Sequence, residues 1–329
     1  MNIAVLGAGA WGTALAIRLA GHSSVGLWTR SPTHAAAMQA DRVNTRYLAG
    51  QALPPSLHAT SDLETALAGA DWVISAVPTG AFRGLVQNLR EQAPSAPLLW
   101  LCKGFEAGTR RLPHEVLEET WPDHPPAGVL SGPSFALEVA RGLPAALTVA
   151  SHDADFARAA AQALHDARLR LYASTDVSGV ELGGAVKNII AIAAGISDGL
   201  GFGLNARAAL VTRGLAELTR LGLHLGGRLE TFMGLSGMGD LILTCTGDLS
   251  RNRQLGQRLA AGESLEGALR ELGHVAEGAT TALELAGLAQ TIQVDMPITQ
   301  SVAAILRGDL PPREAVAALL ARELKDEGC

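Results

Sequence analysis

Short, almost uninterrupted apolar runs punctuate the first half of the chain: Asn2–Leu6, Val25–Trp28, Leu57–Thr60, Trp72–Val77, Leu98–Cys102, Gly128–Leu130 and Ala146–Ala150. Runs this short and this uniformly apolar read as strands covered on both faces. Between them lie stretches with helical spacing and helix-start signals. Ser31-Pro32 reads as an N-cap followed by proline at the first helical position. Ser61-Asp62-Leu63-Glu64 reads as a capping box. Strand–helix alternation of this kind predicts an α/β fold with a doubly wound, mostly parallel sheet.

After about residue 175 the strand signal fades. The remaining periodicity predicts helices over 177–198, 206–222, 252–261, 264–272, 280–290, 297–307 and 312–322. A long non-periodic stretch, Met233 to Ser250, interrupts them and reads as a functional loop. Two domains are therefore expected, residues 1–179 and 180–329, with helix 177–198 able to bridge them. No internal repeat and no low-complexity linker is visible.

Composition narrows the function classes. The 329 residues are 48% hydrophobic and 18% charged, enough apolar material for two cores and far from a disordered composition. A net charge of −6 and a pI near 5.9 argue against broad nucleic-acid or anionic-membrane binding, while leaving a local basic pocket open. Cys102, Cys245 and Cys329 show no paired spacing, which excludes a disulfide framework or a CxxC zinc site and fits a reducing cytosol. The histidines form no cluster with metal-ligand spacing, so no metal is expected. The apolar opening, Met1 to Ala20, lacks a basic n-region and carries closely spaced glycines and Arg18, unlike a signal peptide. The longest later apolar stretch, Ala185 to Ile196, is interrupted by Lys187 and Asn188. A cytoplasmic protein with no stable membrane insertion is expected.

Candidate chemistry begins directly after the first strand. Gly7-Ala8-Gly9-Ala10-Trp11-Gly12 matches GxGxxG and opens a helix in which Leu15 and Leu19 share a face. That context is the dinucleotide fingerprint: Gly7 for the tight turn, Gly9 for approach of a pyrophosphate, Gly12 for close helix–sheet packing. The second strand ends in Thr29-Arg30 with no carboxylate at its tip. A hydroxyl and a guanidinium suit the extra phosphate of NADP, so NADPH is expected in preference to NADH.

In the second half, Lys187 has Gly183, Gly184, Ile190 and Ala191 as its helical neighbours. Its amine projects from a small, apolar face with room for a ligand, where burial suits it to acid–base work. A stem lying over apolar surface is the bland alternative. Ser250-Arg251-Asn252-Arg253 combines an N-cap, free amides and two guanidiniums, a phosphate site in miniature. Gly234 to Asp240 is a glycine-rich turn presenting one carboxylate. Lys103 and Ser131-Gly132-Pro133-Ser134-Phe135-Ala136 follow strands at the edge where doubly wound sheets bind ligands, with Ser134 a candidate cap for the next helix.

These stretches carry a resemblance. GAGAWGTALA, CKGFE, SGPSFALEVARGLPAA, ELGGAVKNIIAIAAGISDGLGFG, GLSGMGDLILTCTGDLSRNRQLG and VAEG occur in order from residue 7 to 278. The chain resembles the bacterial, soluble, NAD(P)-dependent glycerol-3-phosphate dehydrogenases. The resemblance implies a Rossmann-type domain followed by a helical domain, with the active site between them. It also implies interconversion of dihydroxyacetone phosphate and sn-glycerol 3-phosphate for phospholipid synthesis. By resemblance, Lys187 is the catalytic acid–base, and Lys103, Gly132, Ser134, Asp240, Ser250, Arg251 and Asn252 join it as substrate contacts. Ala10, Trp11, Arg30, Ala136, Val275 and Glu277 are implied as cofactor contacts, with Lys103 and Arg251 near both ligands. Trp11 stands where a smaller aromatic is expected, and Thr29-Arg30 where some members have two basic residues. A homo-oligomer, a dimer, is expected. The rival readings are a dehydrogenase of another small acid or sugar phosphate, and a nucleotide sensor that binds NADPH without turnover.

Overall fold

The computed structural model describes residues 1–93, 95–273 and 277–320, the side chain of Leu320 excepted. The strands are β1 (Asn2–Leu6), β2 (Ser24–Trp28), β3 (Leu57–Thr60), β4 (Trp72–Ser75), β5 (Leu98–Trp100), β6 (Ala127–Ser131), β7 (Ala145–Ala150) and β8 (Leu169–Ser174). They form one eight-stranded sheet in the order β3-β2-β1-β4-β5-β6-β7-β8. Every pairing is parallel except β6 with β7. Strand order reverses between β1 and β4, and the crevice at such a switch point is where doubly wound sheets take ligands.

Strand β8 is the element that apolar runs do not reveal. Its sequence, Leu-Arg-Leu-Tyr-Ala-Ser, alternates apolar and polar residues, and only Leu169 is fully buried. An edge strand has one neighbour and a solvated face, so it lacks the continuous apolar signature of the central strands.

Helices α1 (Ala10–Leu19), α2 (Pro32–Asp41), α3 (Leu63–Leu67), α4 (Thr79–Gln92), α5 (Pro113–Thr120), α6 (Ala136–Ala140) and α7 (Ala154–Leu164) accompany the sheet. Ser31 caps α2 as expected, accepting from the His34 amide at 3.3 Å. The cap of α3 is Asp62 rather than Ser61: its carboxylate accepts from Glu64 N at 3.2 Å. Both faces of the sheet are covered. Along β1, Ile3 and Val5 pack on one side with Leu15 and Leu19 of α1, whereas Ala4 and Leu6 pack on the other with Phe82 and Leu85 of α4. This alternation explains why β1 is apolar at every core position.

The chain then becomes helical: α8 (Val177–Gly199), α9 (Gly203–His224), α10 (Leu229–Met233), a π-helical turn (Leu235–Gly239), α11 (Asp240–Thr246) and α12 (Arg251–Ala260). α13 (Leu265–Glu271), α14 (Glu277–Thr291), α15 (Pro297–Arg307) and α16 (Pro312–Leu320) follow. The stretch Met233–Ser250 is therefore mostly helical, not a loop. Its glycines obscure the apolar period in sequence while allowing backbones to pack closely: a Cβ on Gly237 would lie 2.1 Å from the Phe232 carbonyl oxygen. π-turns of this kind recur at functional sites.

Helix α8 is the hub of this half, packed against α9, α11, α12, α14 and α15. It is long and apolar enough to cross a membrane, but its apolar window is wholly buried inside the protein. Glu181 ties it to the sheet, accepting from Trp100 Nε1 at 2.8 Å and pairing with His114 Nδ1. Its small residues bring α12 alongside. A Cβ on Gly195 would meet the Arg253 carbonyl oxygen at 1.9 Å, and one on Gly256 the Ile192 carbonyl oxygen at 2.1 Å. Backbone-to-backbone contact of this closeness fixes where the start of α12 lies relative to Lys187 on α8.

Candidate functional site

The glycine loop is built as the fingerprint requires. Gly7 has φ +126°, and a Cβ there would sit 2.6 Å from the Ala76 carbonyl oxygen at the end of β4. A Cβ on Gly12 would meet the Gly7 carbonyl oxygen at 2.0 Å, so α1 packs against the loop at contact distance. Gly9, by contrast, faces open space with no atom within 4 Å of its Cβ position, and no side chain caps α1 there. Free amides beside open ground at a helix N-terminus fit a dinucleotide pyrophosphate. Ala10 and Trp11 form the first turn, both half-buried.

A residue not identified from sequence braces this loop. Asn44, fully buried, donates through Nδ2 to the Ala8 carbonyl at 2.9 Å and to Thr13 Oγ1 at 2.7 Å. Its Oδ1 lies 3.0 Å from His34 Nε2. Nothing in the sequence marks Asn44, because the contact spans most of two βα units. At the tip of β2, Arg30 is exposed. The Thr29 hydroxyl is not available beside it: Thr29 is 8% exposed and its Oγ1 lies 3.4 Å from His34 Nδ1. Arg30 alone of that pair faces solvent.

The centre of the site is a three-residue ionic bridge. Asp240, the first residue of α11, accepts from Lys103 Nζ at 2.8 Å through one carboxylate oxygen and from Lys187 Nζ through the other. Lys187 and Asp240 are 7% and 1% exposed, so the charges interact in a poorly solvated environment. Burial pushes the Lys187 ammonium down to about 7, with Asp240 opposing the drop and Lys103 adding to it. Burial alone would raise the Asp240 carboxyl, but the two ammoniums outweigh it and hold it below its ordinary range. Asp240 is thus the counter-charge of both lysines rather than a lone acid in a turn.

The small face around Lys187 has a different use from the one expected of it. A Cβ on Gly183 would lie 2.2 Å from the Ser236 carbonyl oxygen, and one on Gly184 would lie 3.2 Å from the Lys103 side chain. These glycines admit the π-turn and Lys103 rather than leaving room for a ligand. The missing Cβ atoms are what allow Asp240 and Lys103 to reach Lys187.

Other candidate residues gather from separate elements. Ser250 caps α12, its Oγ accepting from Arg253 N at 3.3 Å. Arg253 is not a free cation: it pairs with Asp198 at 2.7 Å and Asp248 at 2.8 Å, so it holds α12 to α8. Arg251 is exposed and makes no ion pair among the described residues. Asn252 Nδ2 donates to Asn188 Oδ1 at 2.9 Å, placing it beside the residue that follows Lys187. Buried oxygens of Asn252 and Ser131 have no hydrogen-bond partner among the described residues, and Ser131 Oγ lies beside Gly184. Unsatisfied buried oxygens around an ionic cluster are what a polar ligand would complete. Glu277, at the start of α14, shares this field: burial raises its carboxyl against the pull of Arg251, Lys103 and Lys187. Val275 and Cys329 lie outside the described residues.

The β6–α6 loop approaches the turn before Asp240, where Pro133 lies 3.6 Å from the Cβ position of Gly239. Gly132 has φ +139°. Ser134 does not cap α6, whose N-cap is Phe135; its hydroxyl instead donates to the Gly132 carbonyl at 3.2 Å. Ala136 opens α6, which packs on α1. No group of His, Cys, Asp and Glu able to hold a metal occurs among the described residues.

A glycine-loop, doubly wound sheet joined to a helical half by a buried lysine–carboxylate–lysine bridge, with Lys103 from the sheet side and Lys187 and Asp240 from the helical side, defines a class: two-part dinucleotide-dependent dehydrogenases. The profile of the NAD-dependent glycerol-3-phosphate dehydrogenase N-terminus matches residues 2–157, and that of the C-terminus residues 176–317. A protein of Nitrosospira multiformis named glycerol-3-phosphate dehydrogenase [NAD(P)+] is 56% identical, covering 99% of each chain. One of the same name from Nitrosomonas europaea is 59% identical over 93% of each. The crystal structure of a glycerol-3-phosphate dehydrogenase from Coxiella burnetii superimposes with a TM-score of 0.94 at 44% identity, covering 98% of this chain and 99% of that one. The chain belongs to the NAD-dependent glycerol-3-phosphate dehydrogenase family.

Proposed function

We propose that the chain catalyses NAD(P)-dependent interconversion of dihydroxyacetone phosphate and sn-glycerol 3-phosphate, the activity its relatives are named for. The single observation that carries the mechanistic reading is the bridge Lys187–Asp240–Lys103. Gly7, Gly9, Gly12, Ala10, Trp11 and Arg30 hold the dinucleotide on the sheet side, and Ala136, Val275 and Glu277 are its remaining contacts by family resemblance. A bound nicotinamide supplies hydride to the carbonyl carbon, or accepts it in the reverse direction. Arg251, Ser250 and Asn252 bind the substrate phosphate at the start of α12, where amides and a guanidinium converge. Gly132, Ser134 and Lys103 are the further substrate contacts by family resemblance. Fixing the phosphate fixes the carbonyl, which converts an encounter into a positioned reaction.

The proton step belongs to Lys187. As ammonium it polarises the carbonyl and gives its Nζ proton to the developing alkoxide; as amine it takes the hydroxyl proton in reverse. A lysine at its ordinary value is a weak acid at neutral pH, whereas one held near 7 is populated in both states. Asp240 keeps the ammonium from being expelled altogether and orients a substrate hydroxyl. The division into residues 1–179 and 180–329, Arg30-directed preference for NADPH, a homodimer and a cytoplasmic location complete the reading. The product is a precursor of glycerophospholipids.

Absorbance-monitored oxidation of NADPH, and separately NADH, with and without dihydroxyacetone phosphate tests it. Substrate-dependent oxidation is expected, abolished to within about 10²–10⁴-fold in Lys187→Ala with cofactor affinity retained. Tight NADPH binding with no oxidation on adding substrate would refute the reading in favour of a sensor.

A further inference from the structure

Lys103 reaches Asp240 from a segment that passes between the cores, with Leu101 and Cys102 buried on the sheet side and Phe105 and Leu112 buried in the helical core. Residues 101–112 leave the end of β5 and run as a strap between α4 on the sheet side and α14 on the helical side. Two residues of α4, one helical turn apart, grip it. Thr79 Oγ1 donates to the Lys103 carbonyl at 3.1 Å, and Arg83 forks onto the Glu106 carboxylate with two bonds of 2.8 Å. Glu106 is also the organiser of the strap itself. It accepts from Thr109 Oγ1 at 2.6 Å, and its backbone exchanges 2.9 Å bonds with Arg110 and Arg111.

The opposite side of the strap lies on α14. Gly104 has φ +110°, and a Cβ there would fall 2.4 Å from Thr281 Oγ1. Gly108 N donates to Glu284 Oε1 at 3.1 Å, and Arg110 pairs with the same carboxylate at 3.7 Å. Thr281 and Glu284 follow Glu277 at helical spacing, so one face of α14 carries both the strap contacts and the carboxylate that shares the ionic field of the site. Arg83 and Glu106 touch neither Asp240 nor Lys187.

We propose that Arg83 and Glu106 are positioning residues for this site, a bidentate clamp that holds the strap so that Lys103 Nζ stays on Asp240. The inference rests on the substrate-site reading given above. A guanidinium–carboxylate fork fixes direction as well as distance, which a single hydrogen bond does not. The clamp fixes Glu106 three residues beyond Lys103, whose side chain passes through the gap left by Gly184. Released, the strap withdraws one of the two cations that face Asp240.

The consequence reaches Lys187. The charged groups that face its amine are Asp240 on α11, Lys103 on the strap and Glu277 on α14, with the Cys245 thiol nearby. Lys103 is the cation among them, and it holds the Lys187 ammonium down. Moving it away raises Lys187, so the pH at which reduction of dihydroxyacetone phosphate fails moves upward. A substitution that merely loosened the fold would lower rates without moving that pH.

The test compares Arg83→Met, Glu106→Gln, Arg83→Lys, Lys103→Met and the double variant Arg83→Met/Lys103→Met, all as full chains. For each, kcat, KM for dihydroxyacetone phosphate and the pH profile of kcat/KM are measured, with thermal unfolding alongside. Arg83→Met and Glu106→Gln are expected to raise KM about tenfold, as loss of one charge-assisted contact does. Their high-pH limb is expected to move up by roughly half to one pH unit. Arg83→Lys should recover part of both effects. In the Lys103→Met background Arg83→Met should cost nothing further, because the two act through one contact. Additive losses, or lowered rates with an unmoved pH profile, overturn the clamp. If Arg83→Met does not fold, Glu106→Gln carries the same comparison. If Lys103→Met itself leaves KM unchanged, it is the substrate-site assignment that fails, not the clamp alone.

Discussion

Replacing Asp240 by Asn removes one negative charge from between two ammoniums while keeping the shape of the side chain. Lys187 then keeps its burial and its repulsion from Lys103, both of which lower it, and loses the charge that does most to raise it, so its value falls from about 7. An opposite charge in direct contact is worth about 1–3 pH units, and a drop of ~2 would bring Lys187 to near 5. At pH 7 the protonated fraction would go from about half to ~1%, an upper limit of roughly 50-fold on the loss of reduction at that pH. The assay is kcat/KM for dihydroxyacetone phosphate against pH, since that parameter reports groups of the free enzyme. The sign is fixed: the acid form must be present, so activity falls as pH rises through the Lys187 value, and the variant should begin to fall at lower pH and recover when acidified. The cost to folding is limited, because a lysine already near 7 sheds its proton easily rather than remaining as an uncompensated buried charge. A profile whose fall stays near pH 7, or moves upward, would refute both the bridge and the assignment of Lys187 as the acid.

Three further substitutions probe separate parts of the site. Arg251→Ala should weaken dihydroxyacetone phosphate by about 1.5–3 kcal/mol, seen as a raised KM, and an equal loss with unphosphorylated dihydroxyacetone would contradict the phosphate assignment. Arg30→Asp should shift the ratio of NADPH to NADH turnover towards NADH, by removing the 2′-phosphate partner and supplying a ribose acceptor; an unchanged ratio argues that Arg30 is only solvated. Gly183→Ala places a methyl 2.2 Å from the Ser236 carbonyl oxygen, so the π-turn must move and take Asp240 with it. Loss of about 1–3 kcal/mol in chemical denaturation together with a changed pH profile is expected, and a fully active, equally stable variant would show that the close packing is dispensable.

Much of the fold was legible because its causes are local. Strands covered on both faces must be apolar throughout, so β1 to β7 stand out as runs, and the glycine fingerprint is read from one turn and its flanks. Long amphipathic or apolar helices such as Val177–Gly199 announce themselves by periodicity. What failed to show was what depends on neighbours. Edge strand β8 has the alternation of a half-exposed strand, and Met233–Ser250 is helical because glycines let it press against α8.

For the site, residue types were readable and partnerships were not. Lys187, Lys103 and Asp240 are each visible as charged residues in apolar or glycine-rich surroundings, but 137 residues separate Lys103 from Asp240, and no spacing rule predicts that they share a carboxylate. Arg251 and Arg253 look alike in sequence; Asp198 and Asp248 neutralise one and leave the other exposed. Asn44 and Arg83 carry no local signal, since their partners lie on other elements. The sequence by itself determined the strand–helix order, the dinucleotide loop and the inventory of charged groups, because these follow from short-range sterics and burial. The tertiary structure decided which charges meet, which are spent on holding helices together, and that a lysine is held near neutrality, because those depend on distance and desolvation across the whole chain.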